Sequence, residues 1–406
     1  MRCTSTMGPE LSLSKLKYYE FFAGVGMARS GLGGGWDCLY ANDCDRLKQS
    51  SYMANWDGGH FDFRDVAEVT AADLSGIADL AWASFPCQDL SQAGSKAGIG
   101  ESEGAVVTRS GAVWPFLNII GQLRAEGRHP AILALENVVG LLSSNAGADF
   151  RALCASLSEN GYRFGALVAD AAHFVPQSRP RVFIIAIREE VPIPDSLLTE
   201  MGKAPWHSQV LLRSRAALPP EDAENWLWWS PGEPPRSKQF QLEDIIDLSD
   251  DAIWNTDEAT KRLIGMMSDA HRDRLAAAKV AGRPMIGSLY LRMRPNGKAG
   301  NVQRAEITFG PTLGCLRTPK GGASRPRIVV VEGERVRTRL LSVDEAARLM
   351  GLEDFILPTT YNECFRLIGD GVVPAVVRFL ADRLLEPLAA HARAFVSDEA
   401  GRKASA

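Results

Sequence analysis

Short apolar runs alternate with amphipathic stretches from residue 17 to residue 190. Five runs have the length and composition of strands, at 17–23, 36–41, 79–85, 131–135 and 181–187. The stretches 113–126 and 148–160 have the apolar spacing of helices. Strands that alternate with helices in this way predict an α/β fold, with a doubly wound, mostly parallel sheet and helices on both faces.

The pattern changes at residue 191, which predicts a domain boundary. Eight prolines and four tryptophans lie between residues 191 and 240. Beyond them, 261–280 has helical spacing, and 282–322 has the glycine and arginine content typical of loops and short strands. A capping box of Ser342 and Glu345 predicts a helix at 342–352, and an amphipathic helix follows at 371–384. The small polar residues after 386 are expected to fray.

Composition narrows the classes of protein. With 406 residues and a net charge of −4, the chain has room for two domains. It has neither an apolar run long enough to span a membrane nor the apolar stretch of a secretory signal, so we expect a cytoplasmic protein. Seven cysteines without a CxxC pair and six histidines without ligand spacing predict no disulfide framework and no metal site.

Charge is segregated along the second half of the chain. Residues 283–339 contain twelve arginines and lysines against three glutamates, whereas 221–258 contains eleven acids against two basic residues. This arrangement is typical of a protein with one face for a polyanion and another facing water. Two ordinary solvated surfaces would give the same segregation.

The first strand runs into a glycine-rich turn. Gly24 and Gly26 follow it directly and would let a ligand approach the backbone closely. Asp43 comes about twenty residues later, where an acid can bind ribose hydroxyls, and Asp65 follows at the end of the next strand, beside a bound adenine. A tight turn without any ligand would have the same pattern.

Cys87 follows the strand predicted at 79–85. Chemistry gathers at the carboxyl ends of parallel strands, and a positive environment there can convert a cysteine into a thiolate nucleophile. The long, glycine-containing segment 89–109 suits a lid that closes over a substrate. A buried cysteine before a loop is the alternative.

Two further segments have side chains suited to a reaction. Glu136 follows the strand at 131–135, where a carboxylic acid in a dry site can donate a proton. Arg179 and Arg181 are two residues apart on an extended segment and are therefore expected to point the same way, toward a phosphate or a ring carbonyl. A helix-capping glutamate and a solvated arginine pair would give the same residues.

In their order and spacing these segments closely resemble the DNA (cytosine-5) methyltransferase family of the prokaryotic restriction-modification type. The matching segments are 22–26, 86–88, 136–138, 177–181, 339–342 with Glu345, and 369–373. They extend from Tyr19 to about Leu385, nearly the whole chain.

The resemblance implies an organisation of the chain. Residues 1–190 would form a Rossmann-like domain that binds S-adenosylmethionine, and 191–361 a smaller target recognition domain with its hinge. Residues 362–390 would return to the catalytic domain, and 391–406 would be a flexible tail.

The resemblance also implies a reaction. The thiolate of Cys87 would add to carbon 6 of a flipped-out cytosine, and carbon 5 would then accept the methyl group of S-adenosylmethionine. Glu136 would hold or protonate ring nitrogen 3, Asn137 would orient that site, and Arg179 and Arg181 would contact the ring carbonyl. No metal is needed.

Cofactor and DNA contacts follow from the same match. The cofactor residues would be Phe22, Ala23, Gly24, Gly26, Met27, Asp43, Cys44, Asp65, Val66, Pro86, Val113 and Asp370. The DNA contacts would be Gln88, Ser91, Gln92, Arg292, Arg294, Thr312, Arg317, Lys320 and Arg325. Met27, Cys44 and Asp370 depart from the family pattern, which usually has a glycine, an aromatic residue and an asparagine there.

Double-stranded DNA is the expected partner of a monomer in the cytoplasm, associated with the nucleoid and accompanied in some systems by a restriction endonuclease. Three alternatives stay open. One is a transfer-RNA cytosine-5 methyltransferase, and another is a catalytically inactive DNA-binding relative. The third, a dinucleotide oxidoreductase, needs a third glycine where the chain has Arg29.

Overall fold

The structure is a computed structural model that describes residues 14–86, 109–235, 240–295, 300–319 and 324–405. The described residues form a seven-stranded sheet with the strand order β3-β2-β1-β4-β5-β7-β6. Its strands are β1 (Leu16–Phe21), β2 (Trp36–Asn42), β3 (Phe61–Asp62), β4 (Leu80–Ala83), β5 (Ile132–Val138), β6 (Tyr162–Asp170) and β7 (Pro180–Arg188). All neighbours pair in parallel except β7, which is antiparallel to β5 and β6. The predicted α/β fold class is confirmed.

Burial on both faces explains why the central strands form continuous apolar runs. In β4 all four side chains are buried; Leu80 and Trp82 join one apolar core, and Ala81 and Ala83 join another. Adjacent side chains of a strand point to opposite faces, so each face carries its own core.

Thirteen α-helices are present among the described residues. Those of the amino-terminal half are α1 (Met27–Leu32), α2 (Arg46–Asn55), α3 (Val113–Ala125), α4 (Ala148–Glu159), α5 (Gln209–Ala216) and α6 (Pro220–Glu224). The others are α7 (Leu242–Ile245), α8 (Asp257–Gly265), α9 (Asp269–Lys279), α10 (Val343–Arg348), α11 (Tyr361–Asp370), α12 (Pro374–Leu380) and α13 (Glu386–Ser405). The capping box predicted for Ser342 and Glu345 is formed at the start of α10.

A second, smaller sheet has the strand order β11-β10-β8-β9 and is antiparallel throughout. Its strands are β8 (Met285–Pro295), β9 (Asn301–Phe309), β10 (Arg327–Glu332) and β11 (Arg335–Leu340). The expectation of loops and short strands at 282–322 was therefore wrong for β8 and β9, which pair over nine residues. Leu289, Ala305 and Ile307 pack on one face of this sheet. They follow a period-two pattern, which the intervening arginines made difficult to recognise in the sequence.

Two other expectations are corrected. The single helix at 261–280 is two helices separated by Met266, Met267 and Ser268, and strand β6 was missed. The segment 391–406, expected as a flexible tail, is helical in α13 as far as Ser405. Ala389 and Ala392 of that helix are buried in the core, and the Arg393 guanidinium lies 2.7 Å from the Asp79 carboxylate.

A buried ion pair joins the second sheet to α10. The Arg339 guanidinium donates to both carboxylate oxygens of Glu345, and both side chains are about 4% exposed. We expect Arg339→Ala to lower the free energy of unfolding by about 3–5 kcal/mol, because it leaves a buried carboxylate unpaired. Arg335 is on the same strand as Arg339 and forms an exposed ion pair with Asp250. Arg335→Ala should change the free energy of unfolding by less than about 1 kcal/mol. Denaturant titration compares the two, and equal losses would contradict the prediction.

Candidate active site

A cavity opens at the carboxyl ends of β1 and β4, where the strand order of the sheet reverses. Ligands of doubly wound sheets bind at this switch point. Its volume is about 50 Å³ in this structure. It is lined by Glu20, Phe22, Ala23, Gly24, Val25, Met27, Ala28, Lys48, Ser84, Leu367, Asp370, Gly371 and Val372.

The turn after β1 is shaped by left-handed backbone. Phe22, Gly24 and Gly26 all have positive φ, between 57° and 80°. Gly26 is required for a second reason, because a Cβ there would lie 2.1 Å from the indole nitrogen of Trp56. That indole donates to the carbonyl oxygen of Val25 at 2.9 Å, so the turn is held against the residue that follows α2.

Met27, which departs from the family pattern, packs against the carboxyl-terminal segment. A Cβ on Gly371 would lie 2.0 Å from the Met27 sulfur. The methionine therefore occupies space that a glycine at position 27 would leave open, and Gly371 is needed for this close contact.

Asp43 contacts the glycine turn and Lys48. One carboxylate oxygen accepts from the Gly24 amide at 3.0 Å and the other from the Asp45 amide at 3.0 Å. The Lys48 ammonium lies 3.6 Å away, and Asp43 is only 6% exposed. Its carboxylate thus stabilises the glycine turn, and it is not among the residues that line the cavity.

Five of the twelve predicted cofactor residues line the cavity: Phe22, Ala23, Gly24, Met27 and Asp370. The other seven, Gly26, Asp43, Cys44, Asp65, Val66, Pro86 and Val113, lie outside its lining. Asp65 caps the short 3₁₀ helix Val66–Glu68, and its side chain accepts from the Ala67 amide.

Sequence reasoning missed Glu20, which is fully buried and lines the same cavity. Its Oε2 has no hydrogen-bond partner among the described residues. Burial raises the pKa of Glu20 to about 8, although the nearby Arg29 acts in the opposite direction. An acid at the end of the first strand, inside an otherwise apolar run, was the signal that could have identified it.

Glu136 and Arg181 form an ion pair at the end of β5 and the start of β7. Arg181 Nε lies 3.2 Å from Glu136 Oε1, and the side chains are 13% and 7% exposed. Asn137 donates to the carbonyl oxygen of Phe85 at 3.1 Å. These contacts fix Glu136 beside the segment that leads to Cys87.

The two arginines contact different groups among the described residues. The Arg179 guanidinium is 1% exposed and donates to the carbonyl oxygens of Leu316, Gly369 and Gly371 at 2.6–3.1 Å. These hydrogen bonds join the segment before β7 to two distant backbone segments, and the contact of Arg179 with a substrate ring stays a prediction. Arg181 lies beside Glu136.

Five predicted site residues, Cys87, Gln88, Ser91, Gln92 and Lys320, lie outside the described residues, as does nearly all of the predicted lid. Pro86, the last described residue before Cys87, follows β4 at the same edge of the sheet as Glu136.

All five described residues predicted to contact DNA line two adjoining clefts on the second sheet. Arg294 and Thr312 line one cleft, Arg317 and Arg325 line the other, and Arg292 lines both. Other residues also line the first cleft, namely Ser178, His271, Arg274, Ser288, Tyr290, Glu306, Thr308, Leu313 and Gly314. Ser178 belongs to the segment that precedes β7, so this cleft borders the paired-arginine segment.

The comparison with known families decides what this site belongs to. Residues 16–386 match the family described as C-5 cytosine-specific DNA methylase. The chain belongs to that family. The methylase is therefore an enzyme of DNA methylation that requires a methyl donor, and the resemblance found in its sequence is confirmed.

Relatives of the methylase match over most of its length. It is 28% identical to the type II methyltransferase M.MspI of Moraxella sp. over 91% of this chain and 71% of that protein. It is 24% identical to M.NlaX of Neisseria lactamica over 92% and 97%. The crystal structure of the S. pombe Dnmt2 methyltransferase matches with a TM-score of 0.57 at 17% identity, covering 92% and 99%, which supports the fold.

Two negative observations concern only the described part of the methylase. No helix there is long and apolar enough to cross a membrane. No cluster of three or more histidine, cysteine or acidic side chains suited to a metal ion is found there either.

Proposed function

We propose that the protein transfers a methyl group from S-adenosylmethionine to carbon 5 of a cytosine rotated out of double-stranded DNA, through a covalent bond to Cys87. The observation that carries this proposal is the buried Glu136–Arg181 pair at the sheet edge where β4 ends, shortly before Cys87 in the sequence. A proton donor, its cationic partner and a nucleophile at one edge are what cytosine activation requires.

The residues of the cavity fit this cofactor. S-adenosylmethionine supplies an electrophilic methyl group on a positively charged sulfur when it is bound. Glu20 offers a carboxylate oxygen that has no hydrogen-bond partner in the described part of the chain, which suits a cationic ligand, and the Gly24 turn lets a ligand approach the backbone. Lys48 and Asp370 add opposite charges to the same wall.

Residues of this chain activate the ring. The Cys87 thiolate forms a bond to carbon 6, and Glu136 holds a proton at ring nitrogen 3, so that the ring accepts the electron pair and carbon 5 becomes nucleophilic. Arg181 keeps the carboxyl group of Glu136 in place. After carbon 5 accepts the methyl group, its proton leaves to a water molecule, and the electron pair of that C–H bond re-forms the double bond between carbons 5 and 6. The bond from carbon 6 to sulfur breaks at the same time, which restores the thiolate, and the proton at ring nitrogen 3 returns to Glu136.

The clefts of the second sheet fit a duplex. Arg292, Arg294, Arg317 and Arg325 present positive charge for phosphates and base edges, while Glu306 accepts from the Arg294 guanidinium at 2.5 and 2.9 Å. A base inside a duplex must leave the stack to reach Cys87, at a cost of a few kcal/mol.

The test is methyl transfer to nucleic acid. Purified protein with labelled S-adenosylmethionine is expected to modify duplex DNA and not transfer RNA, and bisulfite sequencing should place the product at cytosines in one sequence context. Preferential labelling of transfer RNA would favour the RNA alternative. Binding to DNA without any methyl transfer would favour the inactive relative.

Glu20 predicts a pH dependence for cofactor binding. Its pKa of about 8 without ligand means that it is largely protonated at pH 7, and a bound cation favours the ionised form. Affinity for S-adenosylmethionine should therefore rise between about pH 6.5 and 8.5, with release of a proton below pH 8. Calorimetry in buffers of different ionisation enthalpy measures that proton, and Glu20→Gln should lose it. The same release in Glu20→Gln would assign the proton to another group.

A further inference from the structure

A lysine lies in the wall of the cofactor cavity. Lys48, on α2, is the one basic side chain among the described residues that line it, and its side chain is 22% exposed. Asp370, Gly371 and Val372 line the same cavity. They belong to the carboxyl-terminal segment, which is distant from α2 in the sequence and is brought next to it by the fold.

Carboxylates surround this lysine. Burial lowers the pKa of Lys48, but the carboxylates of Asp43, Asp370 and Asp45 outweigh burial and raise it above its usual value, so the side chain is an ammonium. Asp43 lies 3.6 Å from the Lys48 nitrogen. Asp370 is held in place by the Thr318 hydroxyl, which donates to its Oδ1 at 3.0 Å.

These charges determine whether an anionic group can bind in the cavity. A carboxylate that approached Asp370 without a nearby cation would be repelled by it. A zwitterionic amino acid, in contrast, meets a carboxylate suited to its ammonium group and an ammonium suited to its carboxylate in one cavity.

We propose that Lys48 binds the carboxylate of the amino-acid end of the cofactor and offsets the repulsion from Asp370. This inference rests on the proposed function, since it assumes S-adenosylmethionine as the ligand. Lys48 is a binding residue in this role, and it takes no part in the covalent steps.

Two ligands separate this role from others. S-adenosylhomocysteine carries the amino-acid end, and 5′-methylthioadenosine keeps the adenosine and the thioether but lacks that end. We expect Lys48→Met to weaken the affinity for S-adenosylhomocysteine about 10- to 100-fold, the usual effect of losing a partly buried charge contact. The affinity for 5′-methylthioadenosine should stay within about twofold of the wild-type value. Lys48→Arg should retain most of the binding of S-adenosylhomocysteine, because the charge stays.

Two further variants complete the calorimetric test. Arg46→Met removes an exposed positive charge two residues earlier on α2 and should leave both affinities unchanged. Asp370→Asn should strengthen S-adenosylhomocysteine binding and reduce the loss caused by Lys48→Met, since the repulsion is gone.

The outcomes against the proposal are distinct. An equal loss of affinity for both ligands in Lys48→Met would indicate that the lysine contacts the ribose or supports the turn at Gly24. Unchanged affinity for both ligands would exclude the lysine from the binding site. Failure of the wild-type protein to bind S-adenosylhomocysteine would instead overturn the cofactor and hence the proposed function.

Discussion

Cys87→Ala is expected to abolish methyl transfer to DNA, with a fall of about 10⁴-fold or more in turnover. Without the sulfur no bond forms to carbon 6, so carbon 5 of the base stays a poor nucleophile. Transfer of labelled methyl groups to a duplex substrate measures this loss. Duplex DNA that contains 5-fluorocytosine should trap the wild-type protein as a stable adduct, because fluorine cannot leave carbon 5 as the proton does.

The matched control for this variant is Cys154→Ala. Cys154 is buried on α4, away from the cavity, so its loss tests the general effect of removing a sulfur atom. It should retain nearly full turnover and the adduct. Unchanged methylation in Cys87→Ala, or an adduct that maps to another cysteine, would refute the assignment of the nucleophile.

Glu136→Gln is expected to lower turnover by about 10²- to 10⁴-fold, the usual contribution of a positioned acid. The amide keeps the size of the side chain but can no longer supply a proton to ring nitrogen 3. Single-turnover rates with saturating DNA and cofactor measure the effect, and affinity for the cofactor should stay nearly constant, because Glu136 is not among the residues lining its cavity.

Glu190→Gln supplies a control of the same chemistry. Glu190 pairs with Arg188 at 3.0 Å just beyond the opposite end of β7 and is about half exposed. It should leave single-turnover rates unchanged. A similar loss in both variants would show that the effect of Glu136→Gln comes from a weakened sheet and that Glu136 is not the proton donor.

The periodicity of the chain predicted the central sheet well, because buried parallel strands form continuous apolar runs. The strands β1, β2, β4, β5 and β7 begin and end within a few residues of the predicted runs. Strand β6 was missed, since its apolar side chains are interrupted by Arg163 and Gly165. The long strands of the second sheet were not recognised for a related reason, because arginines on its open face alternate with the apolar side chains.

Side-chain partners were the part that local sequence could not predict. The motifs located Glu136 and Arg181 correctly at one edge of the sheet. They could not show that Asp43 holds the turn at Gly24, or that Arg179 faces backbone carbonyls contributed from 137 to 192 residues later. Such contacts depend on how distant segments fold back.

The position of Arg179 limits how this protein can be recombined with its relatives. A chimera that replaced the segment around Leu316 while keeping Arg179 would leave a buried guanidinium without the carbonyl oxygen that accepts from it, at a cost of several kcal/mol. A transplanted segment should therefore leave residues 313–318 native.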